Sequence, residues 1–108
     1  MSRRAEYEAA YFARLRAVEE RDDLLRYREY LTQEARRLDE FAERTRADAE
    51  PLSRIVRRPI DRSTKPLLEV VGRRRTVVLE QLRRVDGWID NAEGYVAECE
   101  SELAALRD

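Results

Sequence analysis

The residues whose type and spacing suggest chemistry are eight basic side chains between positions 51 and 75. That segment holds only two acidic residues, so its net charge is +6, whereas residues 1–50 carry −2 and residues 76–108 carry −5. Guanidinium and ammonium groups bind phosphates through charge-assisted hydrogen bonds, so the pattern predicts contact with a polyanion or an acidic partner. The eight residues are Arg54, Arg57, Arg58, Arg62, Lys65, Arg73, Arg74 and Arg75.

Three interpretations of this basic segment stay open at the level of sequence. The cations pair with carboxylates of the same chain or of a partner subunit, they bind a polyanion, or they are simply solvated. No aromatic residue is interleaved among them, which disfavours base stacking on single strands. No helix-turn-helix, zinc-finger or RNP-like signature is present either, so nucleic-acid binding is possible but is indicated by no motif.

The chain has no histidine, and this absence excludes much catalytic chemistry. A Ser-His-Asp triad is impossible, and the Cys/His zinc sites lack their ligands. Catalysis by preorganised charges stays open in principle, but no nucleophile–base pair is present. We therefore predict a protein that is not an enzyme, with no catalytic residues, no cofactor and no metal site.

The elements that position the basic segment are indicated by hydrophobic periodicity. Stepping alternately by three and four residues from Leu68 to Leu106 meets twelve positions, and eleven of them are apolar. This a/d seam predicts one long packed helix. Its single break is Arg75, which either extends its charged head to solvent or is a buried arginine paired with Asp48 or Glu50.

The first half of the chain is also helical in pattern, but its apolar stripe changes face. Tyr7, Tyr11, Leu15, Val18 and Leu25 share one face. A different face carries Leu24, Leu31, Ala35, Leu38, Ala42 and Thr45. The change of face falls at residues 19–23, where either the helix breaks and Asp22 or Asp23 caps a new start, or one helix continues. Because neither Gly nor Pro occurs before Pro51, we expect one continuous helix. Such a helix then has a different neighbour for each half, which indicates self-association.

Prolines define the predicted connection between the helices. A residue that precedes proline is disfavoured in the α region, so Pro51 and Pro59 both mark expected breaks. The sequence predicts a helix over 3–49, a basic turn region over 50–65 and a helix over 66–107, together a single domain over 1–108. The expected fold is all-α: a long, coiled-coil-like antiparallel helical hairpin that dimerises into a four-helix bundle. The helical pattern still runs at Asp108, so a piece of a longer protein is an open alternative.

A short repeat in the second helix suggests a protein contact. Acid, glycine, aromatic and apolar residues follow one another at Asp86 and again seven residues later at Glu93. Glycine costs about 1 kcal/mol in a helix interior, so close approach of another backbone is one explanation, and tolerated glycines are the other. Together with the N-terminal stripe, the candidate protein interface comprises Tyr7, Tyr11, Leu15, Val18, Gly87, Trp88, Gly94 and Tyr95.

These patterns favour a structural or interaction protein, a dimeric helical-hairpin adaptor, scaffold or regulator. The alternative is a nucleic-acid-associated protein that binds phosphates through the basic segment. No apolar run is long enough to span a membrane. A single cysteine and an N-terminus without a signal-peptide pattern point to the cytoplasm.

Overall fold

The computed structural model describes residues 2–107 and is all-α. Helix α1 spans Arg3–Ala49 and helix α2 spans Arg54–Arg107, and no strand occurs in the described range. The predicted fold class, an all-α hairpin of two long helices, is confirmed. Neither helix has a stretch between residues 2 and 107 that is long and apolar enough to cross a bilayer.

Helix α1 is continuous through residues 19–23, as the absence of Gly and Pro predicts. Ser2 caps its start, because the Ser2 hydroxyl accepts a hydrogen bond from the Ala5 backbone N–H at 3.2 Å. The helix ends at Ala49, whose carbonyl accepts a hydrogen bond from the Leu52 N–H at 3.2 Å. Residues 50–53 form the turn, and no described residue of the chain has a positive φ.

Helix α2 begins at Arg54, so the prediction that residues 50–65 form a turn region was wrong. Pro59 and Pro66 lie inside the helix. Proline has a φ close to the helical value and breaks a helix mainly by removing one hydrogen bond and crowding the carbonyl four residues earlier. Here those carbonyls belong to Ile55 and Arg62, and the helix continues despite this local cost.

Hydroxyl side chains supply hydrogen bonds in the proline-interrupted part of α2. The Ser63 hydroxyl donates to the Ile60 carbonyl at 3.0 Å, and the Thr64 hydroxyl donates to the Asp61 carbonyl at 3.3 Å. Such back-bonding is common where a helix bends. Polar residues that suggest a loop in the sequence are therefore part of a helix.

Replacing Pro59 by alanine is expected to stabilise the protein by about 1–2 kcal/mol. Alanine restores a donor to the Ile55 carbonyl, and part of this gain is offset by the greater freedom of the unfolded chain. Urea denaturation measures the change in the free energy of unfolding. The matched control is Pro51→Ala, in the turn after α1, where the proline interrupts no helix interior; equal stabilisation by both substitutions would contradict this explanation.

The chain divides into two compact units. The first pairs the part of α1 up to Glu29 with the part of α2 from Arg83 onward, and the second comprises Tyr30–Leu82. In the first unit Ala17, Val96 and Cys99 form a buried cluster, with Ala13 and the predicted interface residue Val18 packed against it.

The predicted seam of α2 is the side of that helix that packs. Eleven of the twelve seam positions are buried or half-buried, and only Arg75 is exposed. Val85 is completely buried, and it is the only large side chain in the described range with less than 2 % of its surface exposed. The buried members are Val78, Val85, Ile89, Val96, Cys99 and Leu103.

Within the chain, helix α1 packs through one regular seam rather than through the stripe of Tyr7, Tyr11 and Leu15, and a second neighbour for one half of α1 stays a prediction. A row of buried and half-buried positions spaced alternately by three and four residues runs along the helix from Ala10 to Ala49, and arginine occupies three of them. Because these arginines interrupt the apolar pattern, the flanking tyrosines look like the core in the sequence. The seam consists of Ala10, Arg14, Ala17, Arg21, Leu24, Arg28, Leu31, Ala35, Leu38, Ala42, Thr45 and Ala49.

Candidate functional site

Seam arginines in both units reach carboxylates on the facing helix. In the first unit Arg14 pairs with Glu100 at 3.2 Å, and Arg28 pairs with Asp86 at 3.3 Å. The two arginines are fourteen residues apart, and so are their two partners in the reverse direction. The pairs therefore follow the heptad repeat of antiparallel helices.

Arg21 and Glu93 occupy the middle of this series, seven residues from each neighbouring pair. The Arg21 guanidinium instead contacts Asp22 on its own helix at 3.2 Å. Sequence reasoning missed the arginine series, although its signal is present: Arg recurs every seven residues in phase with Ala10, Ala17 and Leu24. The series lines one flank of the first unit with charge.

Arg75, a seam arginine of the second unit, also contacts a carboxylate on the facing helix. Its guanidinium contacts Asp39 at 2.6 Å, and 45 % of its side chain is exposed. The interpretation in which the Arg75 stem packs and its head reaches solvent is therefore confirmed. The alternative, a buried arginine paired with Asp48 or Glu50, was wrong. The side chain is partly exposed, and its partner is Asp39, which lies on the adjoining flank of α1.

Replacing Arg75 by leucine is expected to raise the free energy of unfolding by about 1 kcal/mol. Leucine extends the apolar seam between Val71 and Val78, whereas an exposed ion pair contributes about 0–1 kcal/mol. The change is measured by urea denaturation. As a control, Asp39→Ala removes the same pair without adding apolar surface and should lower stability by less than about 1 kcal/mol; destabilisation by Arg75→Leu would show that the charge is required.

The eight predicted basic residues divide into paired and unpaired cations. Arg74 contacts Glu34 at 2.8 Å, and hydrogen bonding to this largely buried carboxylate raises the pKa of the Arg74 guanidinium. Arg57 lies 3.5 Å from Asp61, four residues along the same helix. Within residues 2–107 the remaining five make no ion pair: Arg54, Arg58, Arg62, Lys65 and Arg73.

The structure brings four of the unpaired cations onto one helical face. Because α2 is helical from Arg54 onward, Arg54, Arg58, Arg62 and Lys65 follow at spacings of four, four and three residues. At about 100° per residue these positions lie within about 80° of one another. A flexible loop would not impose this alignment, so the early start of α2 turns a charge cluster into an ordered row.

The eight predicted interface residues all belong to the first unit but occupy different sides of it. Tyr11 lines a shallow groove with Arg14 and Glu100, on the flank that carries the arginine pairs. Leu15 and Val18 continue from Tyr11 along α1, with Leu15 exposed and Val18 half-buried, and Tyr7 is also half-buried. Tyr95 interacts electrostatically with Arg16 and Glu20 of α1. These two residues lie on the flank of α1 opposite Tyr11, so Tyr95 lies beside that flank.

Trp88 and Tyr95 lie one heptad apart on α2, and about half of each side chain is exposed. Gly87 and Gly94 precede them, and an added Cβ atom at either glycine would meet no atom of this chain within 4 Å. Nothing within the described chain therefore requires glycine at these positions. Close approach by a second chain stays a prediction.

Tyr95 also interacts with the buried Cys99, one turn further along α2. The neighbouring Cys99 raises the pKa of the Tyr95 phenol, first through an unfavourable electrostatic interaction with the phenolate and second through a hydrogen bond. Both effects favour the neutral phenol.

In a spectrophotometric titration at 295 nm, Tyr95 should therefore ionise later than a tyrosine with the ordinary pKa. Cys99→Ala is expected to lower the pKa of Tyr95 towards that ordinary value, because the interactions with Cys99 that favour the neutral phenol are gone. Tyr95→Phe identifies the late step by removing it. A late step that persists in Cys99→Ala would assign the raised pKa to another cause.

The chain matches no protein-family model, no curated protein and no solved structure. Among residues 2–107 no three Cys, Asp or Glu side chains converge in a way that could hold a metal ion.

Proposed function

We propose that this protein is a non-enzymatic interaction protein, a helical hairpin that acts as a homodimeric adaptor, scaffold or regulator. The observation that carries the proposal is the amount of apolar surface left uncovered. Fifteen large hydrophobic side chains in the described part of the chain are at least 36 % exposed. Clusters of exposed apolar side chains mark interaction surfaces in soluble proteins.

The core of the single chain supports the same proposal because it is small. Three of the ten buried hydrophobic residues are alanines and one is Cys99. Burial stabilises in proportion to apolar area, so these residues contribute little compared with Leu or Phe. Small domains with such cores are commonly stabilised by oligomerisation.

The accessible surface of the single chain also supports a homodimer, because it leaves room for a contact of the expected size. The chain exposes 8317 Å², whereas a compact monomer of 12.8 kDa is expected to expose about 6,300 Å². The excess of about 2,000 Å² lies in the range that each subunit of an obligate homodimer buries, about 1,000–2,500 Å². A second copy of the chain is therefore an occupant of the right size.

The flank that carries Trp88 and Tyr95 is the best interface candidate of the two flanks. Aromatic side chains are enriched at the centres of protein interfaces. The opposite flank carries the Arg14–Glu100 and Arg28–Asp86 pairs, whose charges would have to be desolvated. We therefore place the dimer contact on the Trp88 and Tyr95 flank.

The chain contains one tryptophan, so its fluorescence reports this flank directly. Trp88 is 46 % exposed in the single chain. Its emission is expected to move to shorter wavelength as protein concentration rises, because association buries the indole. A Tyr11→Ala variant, altered on the other flank, should show the same shift; emission that is independent of concentration across the association range would place the contact elsewhere.

A further inference from the structure

The outer side of α2 in the second unit carries a row of exposed apolar residues that we name the apolar strip: Ile55, Pro59, Pro66, Val70 and Val77. Ile55 is 86 % exposed, Val70 52 % and Val77 63 %. The spacings of four and seven residues keep all five positions within about 60° of one another on the helix. The strip lies away from the seam residues Val71 and Val78, so α1 packs against a different side of α2.

Four of the five unpaired cations border this strip, and the fifth, Arg73, lies within its angular range. Arg54, Arg58, Arg62 and Lys65 occupy the adjoining face of α2, and Arg73 lies between Val70 and Val77 in the chain. The same stretch carries two carboxylates, and one of them, Asp61, is paired with Arg57. Helix α2 therefore presents an aliphatic face and a cationic face side by side, both exposed.

We propose that this part of α2 binds the surface of an anionic lipid bilayer. Basic amphipathic helices lie in the plane of the membrane interface, with aliphatic side chains between headgroups and cations against lipid phosphates. Charge complementarity and apolar burial then act on the same residues.

Nucleic acid is a less suitable ligand for the same surface. Phosphate contacts explain the cations but leave the exposure of Ile55 and Val77 without a role. The strip also has no aromatic side chain on which bases could stack. The inference concerns the second unit and does not depend on the dimer contact proposed for the first.

The test is co-sedimentation of the full chain with phosphatidylcholine vesicles that contain or lack phosphatidylserine. Wild type is expected to bind only the anionic vesicles, and less well as salt rises. The variant Arg58→Glu/Arg62→Glu should lower the partition coefficient at least about tenfold. Its matched control is Arg36→Glu/Arg44→Glu, which changes net charge equally on exposed positions of α1 and should have a much smaller effect.

A second pair of variants tests the apolar strip separately from charge. Ile55→Ser/Val77→Ser should also reduce binding at least about tenfold, because both side chains lose their contact with lipid. Phe12→Ser, at a position 55 % exposed in the first unit, should bind as wild type. Circular dichroism verifies that each variant keeps its helices.

Several results would overturn the proposal. One is equal binding to neutral and anionic vesicles, and another is no binding at all. Vesicle binding that is unchanged in Ile55→Ser/Val77→Ser would show that the apolar strip does not contribute to lipid binding. Binding to a short duplex DNA that is lost in Arg58→Glu/Arg62→Glu, without vesicle binding, would assign the cations to nucleic acid. Loss of self-association in Ile55→Ser/Val77→Ser, again without vesicle binding, would assign the strip to a second copy of the chain.

Discussion

The substitution Val85→Asp is expected to abolish cooperative folding at neutral pH. Val85 is completely buried in the seam of α2. An aspartate at this position would either bury an unpaired negative charge or stay protonated, and both states cost free energy in the folded protein. Either cost is several kcal/mol, and a domain of this size has a total stability of about 5–15 kcal/mol. Far-UV circular dichroism and urea denaturation measure the loss.

The control for this substitution uses the same residue type on the same helix. Val77 is 63 % exposed, and Val77→Asp should change the free energy of unfolding by less than about 0.5 kcal/mol. The milder Val85→Ala should cost about 1–2.5 kcal/mol and keep the fold. A folded Val85→Asp variant with near-normal stability would mean that the described seam is not the core.

The double substitution Trp88→Ala/Tyr95→Ala is expected to raise the dimer dissociation constant by about 100-fold or more. Truncating an aromatic residue at the centre of an interface costs about 2 kcal/mol or more, and each subunit of a symmetric dimer contributes its own pair. Because both side chains are about half exposed in the single chain, the helices themselves should stay intact. Sedimentation equilibrium measures the constant.

The control removes comparable apolar surface from the other flank. Tyr11→Ala/Leu15→Ala changes two side chains that are 43 % and 37 % exposed, beside the charged flank. It should leave the dissociation constant within about threefold of wild type, the change expected outside an interface core. A larger effect from this control than from Trp88→Ala/Tyr95→Ala would move the dimer contact to the Tyr11 flank.

The fold could be predicted from the sequence where apolar periodicity alone determines packing. The seam from Leu68 to Leu106 gave the packing side of α2 correctly, and the absence of Gly and Pro gave the continuity of α1. The α1 seam was missed because Arg14, Arg21 and Arg28 occupy packing positions. These three residues are half-buried while their guanidinium groups contact carboxylates, a combination that hydropathy does not distinguish from a solvated face.

The connection was mispredicted for a different reason. The prolines at 59 and 66 were treated as helix ends, but each removes only one hydrogen bond, and the neighbouring Ser63 and Thr64 hydroxyls bond to backbone carbonyls. The low helix propensity of Pro59 and Pro66 did not end α2, which continues on both sides of each proline. This error hid the alignment of Arg54, Arg58, Arg62 and Lys65, which appears only when residues 54–65 are helical.

The candidate surfaces were predictable as residue lists but not as surfaces. Composition identified the aromatic and basic residues, whereas their grouping depends on which flank of each helix faces outward. Tyr11 and Tyr95 therefore appeared in one predicted interface although they lie on different flanks. Deciding between flanks required the ion pairs of Arg14 and Arg28, which depend on the register of the two helices.

The most direct test of the proposed homodimer is sedimentation velocity of the wild-type chain over a wide concentration range, at low and at high salt. The proposal predicts a dimer at both salt concentrations, because apolar contacts are much less screened by salt than surface charges. A protein that stays monomeric at every concentration would contradict it. A dimer that dissociates at high salt would contradict the apolar interface and favour pairing of the basic segment with the acidic segment of a second chain.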